Sequence, residues 1–201
     1  ERLPSIQHLE VTGSRISPEA FRHIRGLRNL LRLIVVNSRF EPQHLESLAE
    51  LKHLRELNVM LTVFELTAAE RIRQLGQLTS EEARTFVEIA GPDRRLSHIA
   101  EATVLTDRAL TRLAGHVKLE TLKLVNTYVS PTGLQALRDM RKLKELEFAC
   151  RPTLSRETTR MFDGMEDLAK LTLTGSLDPA AAAGLKHVPK LSELSIFGVT
   201  D

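Results

Sequence analysis

The chain has 201 residues, 42% of them hydrophobic and 27% charged, with 28 basic against 26 acidic side chains. That balance suits one globular domain or a short repeat array, and a net charge of +2 with the signs interspersed argues against a nucleic-acid partner. A single cysteine excludes an internal disulfide framework, and no apolar run reaches the ~18 residues of a membrane span.

The opening "ERLP" reads as the close of a preceding unit. Ile6-Leu9-Val11 then spells LxxLxL, an alternation that predicts a short strand. Gly13-Ser14 makes a turn. "SPEAF" starts a helix, with Ser17 at the N-cap, Pro18 at the first helical position and Phe21-Ile24-Leu27 as the apolar face. The same phrase is written again as Leu30-Leu33-Val35, Asn37-Ser38, "EPQHL" and Leu45-Leu48-Leu51, and a third strand follows at Leu54-Leu57-Val59.

Residues 61–95 break the pattern. "LTAAERIRQLGQ" reads as a helix, and "TSEEARTFVEIAG" as another, with a Thr79–Glu82 capping box, an Ala83-Phe86-Val87-Ala90 face and a Gly91-Pro92 stop. We expect one repeat here to carry a helical insertion, an ordered pair packed on the array. A weaker match starts at Leu96 with Ile99, followed by Thr106 as a cap and by Leu110 and Leu113.

The phrase then returns at Leu119-Leu122-Leu124, Leu143-Leu146-Phe148, Leu168-Leu171-Leu173 and Leu191-Leu194-Ile196, with Ser130-Pro131 and Asp178-Pro179 opening helices between them. "FGVTD" stops where another helix should start. Neither end shows a polar cap, so we expect residues 1–201 to be a single array cut from a longer protein, with uncapped ends open to self-association.

The period is about 24 residues, and leucine fills roughly one position in six. One unit has an apolar strand face and an apolar helix face and cannot bury both alone, so copies must stack. On these residues the chain resembles the leucine-rich repeat superfamily. Within it, "LETLKLVNTYVSPTGLQALRDM" looks like bacterial repeats of the kind abundant in planctomycetes. The resemblance implies an α/β, right-handed solenoid with a curved parallel sheet on the concave side and short helices on the convex side. The chain departs from the commonest repeat by placing Ser14, Ser38, Thr127 and Ser176 where a buried Asn ladder is usual, and Arg151 breaks the file. A hydroxyl there can still bond neighbouring backbone.

Chemistry is hard to find. Cys150 has no His placed beside it by any motif, and a small residue packed at a turn is the plainer reading. The seven histidines show neither HExxH nor HxxxH spacing, and no CxxC exists, so no metal or cofactor is expected. His53, His116 and His187 fall near helix C-termini, where a donor to free carbonyls is useful. We expect no catalytic residues and no enzymatic activity. The lone cysteine and the lack of a secretory signal in this stretch fit a cytoplasmic setting.

What remains is surface. Residues between the core leucines of each strand point to the concave side. Their fifth unit position reads Glu10, Ile34, Asn58, Lys123, Glu147, Thr172, Ser195, and the seventh reads Thr12, Val36, Met60, Val125, Ala149, Thr174, Phe197. We expect Ile34, Val36, Met60, Lys123 and Val125 to bind a protein partner, within a polar rim of Glu10, Arg32, Glu56, Lys123 and Glu145. The expected function is a non-enzymatic interaction scaffold. The alternative is the recognition module of a larger multidomain enzyme or effector.

Overall fold

Leu33 and Val35 are buried while Ile34 and Val36, alternating with them, are only half-buried. Leu57 and Val59 repeat this against Asn58 and Met60. A period of two with one buried face is the mark of a half-covered strand. The computed structural model describes the backbone at residues 5–14, 16–38, 42–60, 103–104, 110–129 and 131–198, with side chains there except 18, 42, 43, 103, 104, 126–128 and 150–153.

The strands are β1 (His8–Thr12), β2 (Arg32–Val36), β3 (Glu56–Met60), β4 (Thr103–Val104), β5 (Thr121–Val129), β6 (Glu145–Leu154), β7 (Lys170–Leu177) and β8 (Glu193–Phe197). They form one 8-stranded sheet in the order β1-β2-β3-β5-β6-β7-β8, with β4 beside β5. Every pairing is parallel. The helices described between them are α1 (Pro18–Phe21), α2 (Pro42–Leu48), α3 (Pro131–Leu134), α4 (Arg156–Thr159) and α5 (Pro179–Gly184). All but α2 run into a 3-10 turn, at Arg22–Gly26, Gln135–Leu137, Arg160–Gly164 and Leu185–His187. Three residues per turn give a narrower element than an α-helix.

Among the described residues, three of the helices begin from a polar cap. Ser17 Oγ accepts from the Ala20 amide at 3.2 Å, and Asp178 Oδ1 accepts from the Ala181 amide at 2.5 Å. Ser155, which the sequence reading passed over, caps α4 in the same way, accepting from Thr158 N at 3.4 Å. Between sheet and helices lies one continuous core built mostly of leucine, including Leu30, Leu54, Leu119, Leu143 and Leu168, all fully buried. Each such side chain contributes about 1.5–3 kcal/mol on leaving water.

The turn after β1 and β2 needs a left-handed residue, which Gly13 (φ 63°) and Asn37 (φ 50°) supply. Glycine has no Cβ to clash there, and asparagine tolerates the conformation better than most residues. Ser38 follows, 2% exposed. Its Oγ lies 2.9 Å from the Val36 carbonyl and 3.2 Å from the Val11 carbonyl one unit back, and it accepts from the Ser14 amide at 3.2 Å. A hydroxyl thus ties two neighbouring coils where the commonest repeats use Asn. Ser38→Ala is expected to cost about 1 kcal/mol, because the half-buried Ser14 amide loses its acceptor while the Val36 carbonyl keeps the Gly13 amide. An unchanged urea midpoint would show that the bond is dispensable. The side chain of Thr127, in the same file, lies outside the described residues.

β5 pairs directly with β3, Leu57 opposite Leu122 and Met60 opposite Val125, and beyond that stretch with β4, Thr103 opposite Thr127. The Leu96–Ile99 match that precedes β4 lies outside the described residues. One expectation needs correcting. A turn was expected around Cys150, but the ladder continues through it, with Val129, Cys150 and Gly175 in register. Extended pairing lengthens β5, β6 and β7 to 9, 10 and 8 residues, against 5 in β1, β2, β3 and β8. The helical pair expected at 61–95 lies outside the described residues.

Candidate functional site

The outward face of the sheet is assembled by strand register. Val36 stands opposite Met60, and Met60 opposite Val125. Ile34 stands two residues from Val36 on β2, so its side chain shares that face. Met60 is 39% exposed, and Ile34, Val36 and Val125 are half-buried. The four apolar residues expected to bind a partner therefore form one patch across β2, β3 and β5. Lys123, also expected there, lies in the adjacent file opposite Asn58.

The apolar file does not continue to β6 as the sequence suggested. The register shifts between Leu124 and Tyr128, so Ala149 is opposite Tyr128 and not Val125. Ala149 is 5% exposed and offers no surface. A bulge of this kind lets one strand run longer than its partner and ends the straight file. Beyond it, Ala149, Thr174 and Phe197 align, and Phe197 on β8 is exposed.

The expected polar rim is present but largely neutralised. Arg32 Nε lies 2.6 Å from Glu56, and Lys123 Nζ lies 2.9 Å from Glu145. Lys170 reaches Glu193 at 3.3 Å and Glu145 at 3.7 Å. The hydrogen bond from Lys170 to Glu193, and the nearby carboxylate charges, raise the lysine above its ordinary range. Glu10 and Glu147 are different. They share the fifth file with Lys123, yet among the described residues neither has a cationic partner: Lys123 reaches diagonally to Glu145 and leaves Glu147 opposite it unpaired. Asn58 Oδ1, in the same file, is buried with no hydrogen-bond partner. The sequence placed these acceptors in the fifth file but not their lack of partners, because which long side chain reaches which neighbour is decided by register.

Two further ion-pair groups lie outside those files. Glu120 is held between Arg55 at 3.3 Å and Lys144 at 2.7 Å, and Asp167 between Lys190 at 2.7 Å and Lys142 at 3.6 Å. The Lys144 hydrogen bond lowers the Glu120 carboxyl, and the Lys190 hydrogen bond lowers Asp167. Exposed pairs of this kind contribute little stability. Among the described residues, no three or more His, Cys, Asp or Glu converge as a metal site would require.

Burial perturbs His116. It is 1% exposed, at a unit position where other repeats carry Leu51, Met140 or Met165. Its Nε2 lies 2.8 Å from the carbonyl oxygen of Leu48, the last residue of α2, and its Nδ1 lies 3.2 Å from that of Leu113. The sequence suggested a histidine at a helix end, and here it meets the last carbonyl of α2, which also accepts from the Leu51 amide. Burial pushes the imidazole below the usual histidine range, and Lys52 adds repulsion, against a smaller upward pull from the two carbonyls. The unfolded chain therefore binds the proton more readily than the folded one. Stability from this group is present above about pH 6.5 and falls as the pH drops below it. In His116→Leu, Leu48 O keeps its bond from the Leu51 amide, so the variant should fold and lose that slope between pH 7.5 and 5. Parallel urea titrations of the two proteins check this, and equal slopes would refute it.

No family model matches the sequence, and no curated protein sequence matches it either. Solved structures do. An internalin from Listeria monocytogenes aligns over 96% of this chain and 48% of its own, at 12% identity and a TM-score of 0.57. The chain thus spans about half the length of that relative. A second internalin, C2, from the same organism covers 95% of this chain and 80% of its own at 13% identity and TM-score 0.45. A leucine-rich repeat receptor-kinase ectodomain from Arabidopsis covers 98% and 31% at 11% identity and TM-score 0.47. The parallel sheet, the short helices and the first of these likenesses give the fold as an α/β leucine-rich repeat solenoid.

Proposed function

We propose that the chain is a non-enzymatic interaction module, a single array over residues 1–201 that grips a protein partner on the outward, concave face of its sheet. The observation that carries this reading is the patch of Ile34, Val36, Met60 and Val125, four apolar side chains kept on the surface side of three adjoining strands. An apolar centre inside a polar margin is how interfaces are commonly built. Ion-paired carboxylates that do not converge on a cleft support binding in preference to catalysis. The hydroxyl of Ser38, bonded across coils, supports placing the repeats with the bacterial kind that uses Ser or Thr in that file.

The test is a pull-down from a lysate by the wild type, by Met60→Glu and Val36→Glu, and by Lys186→Glu on the opposite, helical side. Lys186 lies in the 3-10 turn after α5 and is exposed. Wild type and Lys186→Glu should recover the same protein, and the two face variants should lose it by at least about tenfold, as centre-of-interface changes do. Recovery by Met60→Glu at the wild-type level would place the partner elsewhere.

A further inference from the structure

The charges around the apolar patch say what kind of segment it takes. Among the described side chains of the outward files, the carboxylates Glu10, Glu56, Glu145, Glu147 and Glu193 outnumber the cations Arg32, Lys123 and Lys170, with His8 opposite Arg32, so this face is acidic in a chain whose net charge is +2. All three cations are already ion-paired within the face. The two carboxylates left over are not scattered. Glu10 stands on β1 opposite Ile34, at one margin of the patch, and Glu147 stands on β6 opposite Lys123, at the other.

We infer that the partner contributes an extended cationic segment, laid across the strands, with one Lys or Arg at Glu10, another at Glu147, and apolar side chains between them on Val36, Met60 and Val125. This rests on the docking face proposed above and adds the chemistry of its occupant. The spacing follows from the sheet. From β1 through β2, β3 and β5 to β6 is four strand steps, or roughly 19 Å at about 4.8 Å each. An extended chain rises about 3.3 Å per residue, so the two cations stand about six residues apart. Glu10, whose carboxylate accepts only from the Thr12 hydroxyl at 3.1 Å, and Glu147 are carboxylates without a described cation at the two ends, and they favour that register and disfavour an acidic segment, since like charges brought together at an interface are repelled.

The experiment is selection of a phage-displayed library of random 12-residue peptides on the whole chain. Selected peptides should carry two Lys or Arg about five to seven positions apart with apolar residues between. A synthetic copy of the selected peptide should bind Glu10→Gln and Glu147→Gln about threefold to fivefold more weakly each, the size of a partly exposed ion pair. The losses should multiply in the double variant, because the sites are far apart. Selected peptides without the cation pair, or with unchanged affinity for the double variant, overturn the inference and leave the docking face standing. Peptides that bind Met60→Glu as well as wild type, or no enrichment at all, overturn the docking face and this inference with it.

Discussion

Leu57→Glu is expected to unfold the chain, whereas Met60→Glu, three residues on along the same strand, is expected to shift stability by no more than about 0.5 kcal/mol. Leu57 is fully buried, with Leu33 and Leu122 as its register partners. A carboxylate there would lose its hydration with no cation to replace it. Several kcal/mol of desolvation, added to the lost leucine contacts, is comparable to the 5–15 kcal/mol that holds a typical domain folded. Met60 leaves the opposite side of the strand at 39% exposure, so a glutamate there stays in water. Circular dichroism melts of the two variants decide the matter. Equal loss in both would mean that the strand faces are assigned the wrong way round.

Phe148→Ala is expected to cost about 3–5 kcal/mol, the usual range for removing a buried phenylalanine. Phe148 is 1% exposed and stands between Leu124 and Leu173 in a file that begins with the smaller Val11, Val35 and Val59. The file widens just where the strands lengthen. Backbone paired on both sides of β6 cannot collapse easily into the gap, so most of the cavity would persist. Urea denaturation measures the loss. A cost below about 1.5 kcal/mol would show that neighbouring side chains refill the space.

The repeat and its core were legible because burial selects residue type. Leu33, Leu57, Leu122 and Leu146 occupy equivalent slots, and each slot accepts only an aliphatic side chain of that size. The apolar patch was legible by the same alternation, read on the other parity. What stayed hidden depends on neighbours distant in sequence. "TLKLVNTYV" reads as an unbroken strand, and nothing in it announces the shift that parts Val125 from Ala149. Lys123 has a glutamate both straight across and diagonal, and composition does not say which it takes.

The pairing of β3 with β5 has a kinetic consequence. Elsewhere in the sheet, cross-strand partners lie 21–25 residues apart, as Glu120 and Lys144 do at 24, but Arg55 and Glu120 are separated by 65. Closing the longer loop costs about 0.9 kcal/mol more in chain entropy. The β3–β5 pairing is therefore expected to form after the pairings within β1–β3 and within β5–β8. Amides along Glu56–Met60 should then exchange with solvent before those of β6, in the middle of the longer half.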